Sequence, residues 1–116
     1  MKRIFVFGSN LAGRHGKGSA ELARLFYGAK RGVPEGIEGL SYAIPTKDIN
    51  LAPLPLDVIQ MHVAKFLDYA RAHPDLIFDI VPIGCGLAGY HFEDIAPLFK
   101  GAPENCWVPE EFTSRW

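Results

Sequence analysis

The chain has 116 residues, 48% of them hydrophobic, with 12 basic and 13 acidic side chains and a formal net charge of −1. That is enough apolar material for one buried core spanning residues 1–116, and the balanced charge gives neither a global basic field for nucleic acid nor an acidic solvating tail. Two cysteines, Cys85 and Cys106, make no disulfide framework, so a reducing, cytoplasmic setting is expected.

The elements follow in chain order. The opening apolar run, Ile4 to Phe7, is far too short for a signal peptide or a membrane span. Residues 3–8, RIFVFG, instead predict a central strand buried on both faces. Residues 18–28 predict a helix, with Ala20, Leu22, Ala23, Leu25 and Phe26 on one broad face. Residues 29–39 hold three glycines and a proline and predict a turn-rich connection. LSYAIPT, residues 40–46, predicts a second strand.

Residues 55–73 give the clearest helix, because Leu56, Ile59, Val63, Phe66, Leu67 and Ala70 recur at helical spacing. His62 flanks that face, and His73 before Pro74 ends it, since a residue preceding proline avoids helical angles. LIFDIVPIG, residues 76–84, predicts a third strand. Asp94 is expected to cap a short helix over residues 95–100, with Pro97 in its first turn. ENCWVP, residues 104–109, predicts a last strand. The terminal EEFTSRW reads either as a free tail or as a segment packing Phe112 and Trp116. Alternating strands and helices imply an α/β fold with a largely parallel sheet, whose ligands bind beyond the carboxyl ends of the strands.

Three strand ends carry unusual chemistry: GSNLAGRHGKG, IPTKD and IGCGLAGYH. The first has the glycine spacing of a phosphate-binding loop, but Arg14 and His15 replace the phosphate lysine and the metal-binding hydroxyl. Triphosphate hydrolysis is therefore disfavoured, and the dinucleotide fingerprint is absent. What remains is a looser anion device, in which glycines let backbone N–H groups approach a ligand at a helix N-terminus. Arg14, His15 and Lys17 either add charge around that ligand or form a solvated basic rim.

The third loop, Gly84-Cys85-Gly86-Leu87-Ala88-Gly89, suggests a second backbone clamp, and two facing clamps suit a diphosphate. Cys85 reads as a small packed residue, with a nucleophile served by His91 or His15 as the competing reading. Lys47 is a solvated charge or, at the rim, a group for a phosphate or sugar; Asp48 reads as solvated. Glu93 and Asp94 are candidate general acids or bases, with the helix cap as the simpler reading of Asp94. No cluster has metal-ligand spacing, and no cofactor or metal is expected.

Taken together, FGSNLAGRHGKGSAELA, GLSYAIPTKD and VPIGCGLAGYHFEDIAPLF resemble, in order across residues 4–99, the macrodomain family. The last segment is similar to the terminal ADP-ribose protein glycohydrolase branch, and the compact pattern resembles small phage and bacterial members. The resemblance implies a single domain with a three-layer α/β/α macrodomain-like fold and a largely parallel central sheet. It implies ADP-ribose or a related nucleotide diphosphate sugar as ligand, with ADP-ribosylated macromolecules as further partners.

By position, Asn10 would approach the distal ribose, with Tyr90 packing nearby and Ser9 and Thr46 as further ligand-binding residues. The backbone of Gly16, Lys17 and Gly18, and of Gly84, Cys85, Gly86, Leu87, Ala88 and Gly89, would hold the diphosphate, with His15 adding charge around it. Thr46 precedes Lys47, which matches the lysine that attacks ribose in that branch. Ala88 stands where the branch has an aspartate, and Glu93 or Asp94 would have to replace it. The chain begins at the strand leading into Ser9, without the aspartate that reads adenine, so a different or smaller nucleotide is a further expectation. Three functions follow: ADP-ribosyl hydrolysis through Lys47, a non-catalytic nucleotide-binding or sequestering module, and a thiol hydrolase built on Cys85.

Overall fold

The computed structural model describes residues 1–116. Its centre is β1 (Lys2–Asn10), whose side chains alternate between two apolar environments. Ile4 and Val6 enter the larger core, and Phe5 and Phe7 enter the smaller one. A strand lined on both sides in this way belongs in the middle of a parallel sheet. β1 pairs in parallel with β3 (Ser41–Lys47) on one side and with β4 (Leu76–Ile80) on the other. The edges are β2 (Gly36–Glu38), antiparallel to β3, and β5 (Cys106–Trp107), parallel to β4. The sheet therefore has five strands in the order β2-β3-β1-β4-β5 and is mostly parallel.

The larger core lies beneath α2 (Leu56–Ala72), which buries Ile59, Val63, Phe66, Leu67 and Ala70 as its spacing predicts. The Phe66 ring meets Tyr42 of β3 at 4.9 Å and Phe78 of β4 at 5.3 Å, both edge-to-face. The same core takes in α3 (Phe92–Ile95), the 3-10 turn Ala96–Phe99 and α4 (Glu110–Thr113).

The smaller core lies beneath α1 (Gly18–Phe26). Only Ala20 and Ala23 of α1 are buried, and alanine lets the helix backbone lie close over Phe7 and Ala43. Leu22, Leu25 and Phe26 are exposed, contrary to the broad buried face their spacing suggests.

Other expectations are corrected locally. The 29–39 connection contains β2, held as an edge strand by its pairing with β3. β4 ends at Ile80, and Val81 to Gly84 leave the sheet. Asp94 lies inside α3 and not at its cap position: its carboxylate accepts the His91 N–H at 3.0 Å, fastening the first turn. The terminal segment packs against the domain, with Phe112 buried on Phe99 and Trp116 Nε1 donating to the Ala96 carbonyl at 2.8 Å. No helix is long and apolar enough to cross a membrane.

Candidate functional site

The chain leaves the carboxyl ends of β1 and β4 toward opposite faces of the sheet. After β1 it enters α1, over the smaller core; after β4 it enters α3, over the larger one. A crevice opens where neighbouring strands part in this way. Here it is a cleft of about 710 Å³, lined by Gly8, Asn10, Arg14 and Gly16 to Ala20, by Thr46, Lys47 and Leu51, and by Val81 to Gly84 and Gly86 to Ala88. The three strand-end loops thus converge on one site.

The first loop is shaped by Asn10. Its Oδ1 accepts the Arg14 N–H at 3.0 Å, and its Nδ2 donates to the Arg14 carbonyl at 2.8 Å. Gly13, at φ +69°, passes so close to Gly32 that a Cβ would lie 2.7 Å from the Gly32 Cα. Beyond Arg14, the N–H groups of Gly16 and Lys17 donate to no protein acceptor. The first turn of α1 has no side-chain cap, so its orphan N–H groups are left at the cleft. Opposite, the N–H groups of Gly86, Leu87 and Ala88 are also without protein acceptors. The two loops come together at Leu87, whose Cδ1 lies 3.4 Å from the position a Gly18 Cβ would take.

Lys47 sits beside Asn10 in the β1–β3 register, half-buried and in no ion pair. Its main chain is fixed by the Leu11 N–H on its carbonyl at 2.9 Å. Asp48 has a structural task, accepting the N–H groups of Asn50 at 2.8 Å and Ala52 at 3.0 Å. That turn holds Leu51 at φ 66° and presents it to the cleft. The charged side chains of the lining are Arg14, Lys17 and Lys47, and no carboxylate is among them. The field in the cleft therefore favours an anion.

Several candidate residues stand elsewhere. Ser9 is buried behind the site, its hydroxyl donating to the Pro34 carbonyl. Thr46 reaches the lining, but its hydroxyl donates to the Ser9 carbonyl at 3.2 Å. His15 turns under the first loop and is 1% exposed. Gly89 closes the third loop at φ +82°, and the Tyr90 hydroxyl donates to the Leu54 carbonyl at 2.5 Å. Neither lines the cleft. Glu93 pairs with Arg115 at 3.3 Å on the surface, and Asp94 is engaged at His91; both lie outside the lining.

Cys85 also lies outside the lining, in contact with the larger core. Burial, reinforced by Asp94 and Glu93, pushes its thiol up to about 11. Arg115 opposes this only in part, so burial and the two carboxylates disfavour the thiolate that a nucleophilic cysteine needs. Sequence reasoning had no signal for Leu51 or Val81, which reach the cleft only through tertiary placement; Ser19, in the first turn of α1, was findable from the helix start.

No protein-family model and no curated protein sequence matches the chain. Among solved structures, a protein of unknown function from Bacteroides thetaiotaomicron is similar in fold, with a TM-score of 0.55 and 20% sequence identity over 84% of this chain and 78% of that one.

Proposed function

We propose that the cleft binds a phosphorylated sugar nucleotide of the ADP-ribose class, in a three-layer, macrodomain-like arrangement. The observation that carries this reading is the lining itself. Two facing loops offer unpartnered backbone N–H groups, and Arg14, Lys17 and Lys47 surround them with no opposing carboxylate. Backbone amides at a helix N-terminus favour a phosphate, and two such loops suit two linked phosphates. About 710 Å³ is in the range of sites for small organic ligands.

Lys47, at the end of β3, lines the cleft beside Asn10, which supports reading it as the nucleophile or electrostatic stabiliser of an ADP-ribosyl hydrolase. One observation favours binding without turnover. Hydrolysis calls for a general acid or base, yet Ala88 is apolar and the lining includes neither a carboxylate nor an imidazole. Glu93 and Asp94, engaged elsewhere, do not fill that role. A module that holds or sequesters the nucleotide fits this better.

The test is calorimetric titration with ADP-ribose at one stated salt concentration, followed by incubation with an ADP-ribosylated protein. A micromolar Kd, about −8 kcal/mol, supports the ligand class. Binding without release of ADP-ribose supports the sequestering module, and release that is lost in Lys47→Ala supports the hydrolase. Absence of binding rejects the ADP-ribose class and directs a screen to other phosphorylated sugars and nucleotides.

A further inference from the structure

His15 lies between Arg14 and Gly16, both of which face the cleft, but its own side chain packs beneath the loop. The ring stands edge-to-face with Phe7 of β1 at 5.6 Å. Its two nitrogens are the only buried side-chain polar atoms in the molecule without a hydrogen-bond partner. The charged groups that bear on it are both cations, Arg24 from α1 and Arg31 from the connection that follows α1; Phe7, from the sheet, is uncharged. Burial first, and then these two guanidinium groups, hold the imidazole below the ordinary histidine range.

Few other contacts tie down this part of the loop. Arg24 Nε donates to the His15 carbonyl at 3.2 Å, and the Glu21 N–H reaches the Lys17 carbonyl at 3.3 Å. The His15, Gly16 and Lys17 N–H groups have no protein acceptor. The ring is thus the main anchor between Arg14 and α1. A neutral ring leaves one N–H and one lone pair unpaired in that seat and carries no charge against the two guanidinium groups. A charged one has no acceptor there and faces two like charges, so protonation and seating oppose each other.

We propose that His15 is the positioning residue of the anion loop: as a neutral imidazole it seats Arg14, Gly16, Lys17 and Gly18 at the cleft, and a proton added to it unseats them. The inference rests on the anion-binding reading and adds a pH dependence to it. Affinity falls as the solution is acidified, although acid makes the protein more positive overall.

The experiment follows the His15 ring and the amides of residues 14–18 by NMR from about pH 8 to about pH 5, in the full chain and in His15→Phe, with ADP-ribose titrated at both ends. ADP-ribose is a suitable probe because its diphosphate has no monoester ionisation at about pH 6. In the wild-type chain the loop amides should shift together with the ring, and affinity should be about fivefold or more higher at the alkaline end. In His15→Phe the amides should stay in place and the affinity should lose its pH dependence. Loop amides unchanged down to about pH 5, or a wild-type pH profile that survives in His15→Phe, overturn the proposal. If the variant does not fold, the wild-type amides decide alone. If ADP-ribose fails to bind at the alkaline end, the ligand class is rejected, and the amides of the free protein still decide the role of His15.

Discussion

The carboxamide of Asn10 closes on the backbone of Arg14 from both sides, accepting its N–H at 3.0 Å and donating to its carbonyl at 2.8 Å. This pair turns the chain out of β1 and sets where the first loop begins. Its chemistry requires a side chain that is both donor and acceptor, which a carboxylate is not.

Asn10→Asp is therefore expected to disturb folding as well as binding. The Arg14 N–H keeps its acceptor, but the Arg14 carbonyl loses its donor and faces an anionic oxygen. Loss of that part-buried bond costs about 1–3 kcal/mol, measurable as a lower urea midpoint. ADP-ribose affinity should fall by about tenfold or more, since a negative charge enters a cleft built for anions. Unchanged stability with lost affinity would instead assign Asn10 to direct ligand contact.

Lys47→Ala should separate the two effects. The ammonium makes no ion pair and the residue is only half-buried, so its removal is expected to alter stability by no more than about 0.5 kcal/mol. ADP-ribose affinity should drop by about three- to tenfold, with a shallower dependence on salt, because one of three cleft cations is gone. Calorimetry at two ionic strengths checks both. Affinity that does not change with salt would place the charge outside the ligand's reach.

The elements that strong periodicity defines were legible in the sequence. α2 and β1 follow from their apolar patterns because burial alone decides them. The convergence of the three glycine- and lysine-bearing loops followed from the topology, since a parallel sheet sends all its carboxyl ends to one rim. What was not legible depends on partners distant in the chain. β2 is a strand only because β3 lies beside it. The direction of a side chain in a loop was equally hidden: Ser9, His15 and Cys85 sit among cleft residues in sequence yet point toward Pro34, Phe7 and the larger core. Leu22, Leu25 and Phe26 show the converse, since apolar spacing gave them a buried face that α1, seated through two alanines, leaves exposed.

Stability should fall in alkali through the two thiols and, above pH 10, also through the buried Tyr42 hydroxyl, which burial raises from 10.0 to about 12. Cys85 and Cys106 are each raised from an ordinary 9.0 to about 11, chiefly by burial. In the unfolded chain they ionise first, so between these values the folded state holds more protons, and raising the pH favours unfolding. The contribution is complete below pH 9 and disappears as the pH rises through about 11. Cys106→Ala removes one of the two thiols and should flatten the alkaline limb of a plot of Tm against pH. A limb as steep as that of the wild-type chain would show that Cys106 is not what titrates.

The glycines of the first loop serve two different ends, and two alanine substitutions distinguish them. Gly13 is at φ +69°, and an added Cβ would lie 2.7 Å from the Gly32 Cα and 2.8 Å from its nitrogen, both backbone atoms that do not yield. Gly13→Ala is expected to cost about 2–3 kcal/mol and to lower Tm clearly, whatever the ligand. At Gly16 an added Cβ would meet nothing within 4 Å. Gly16→Ala should therefore leave stability within about 0.5 kcal/mol, or raise it slightly by restricting the unfolded chain. Its methyl group would project from a loop whose backbone lines the cleft, so a ligand that approaches the Gly16 N–H closely should bind about tenfold or more weakly. Urea denaturation and ADP-ribose calorimetry on the two variants read both effects. Equal affinity in Gly16→Ala and the wild-type chain would show that the ligand does not rest on this backbone, and would shift the phosphate site toward Gly86 and Leu87.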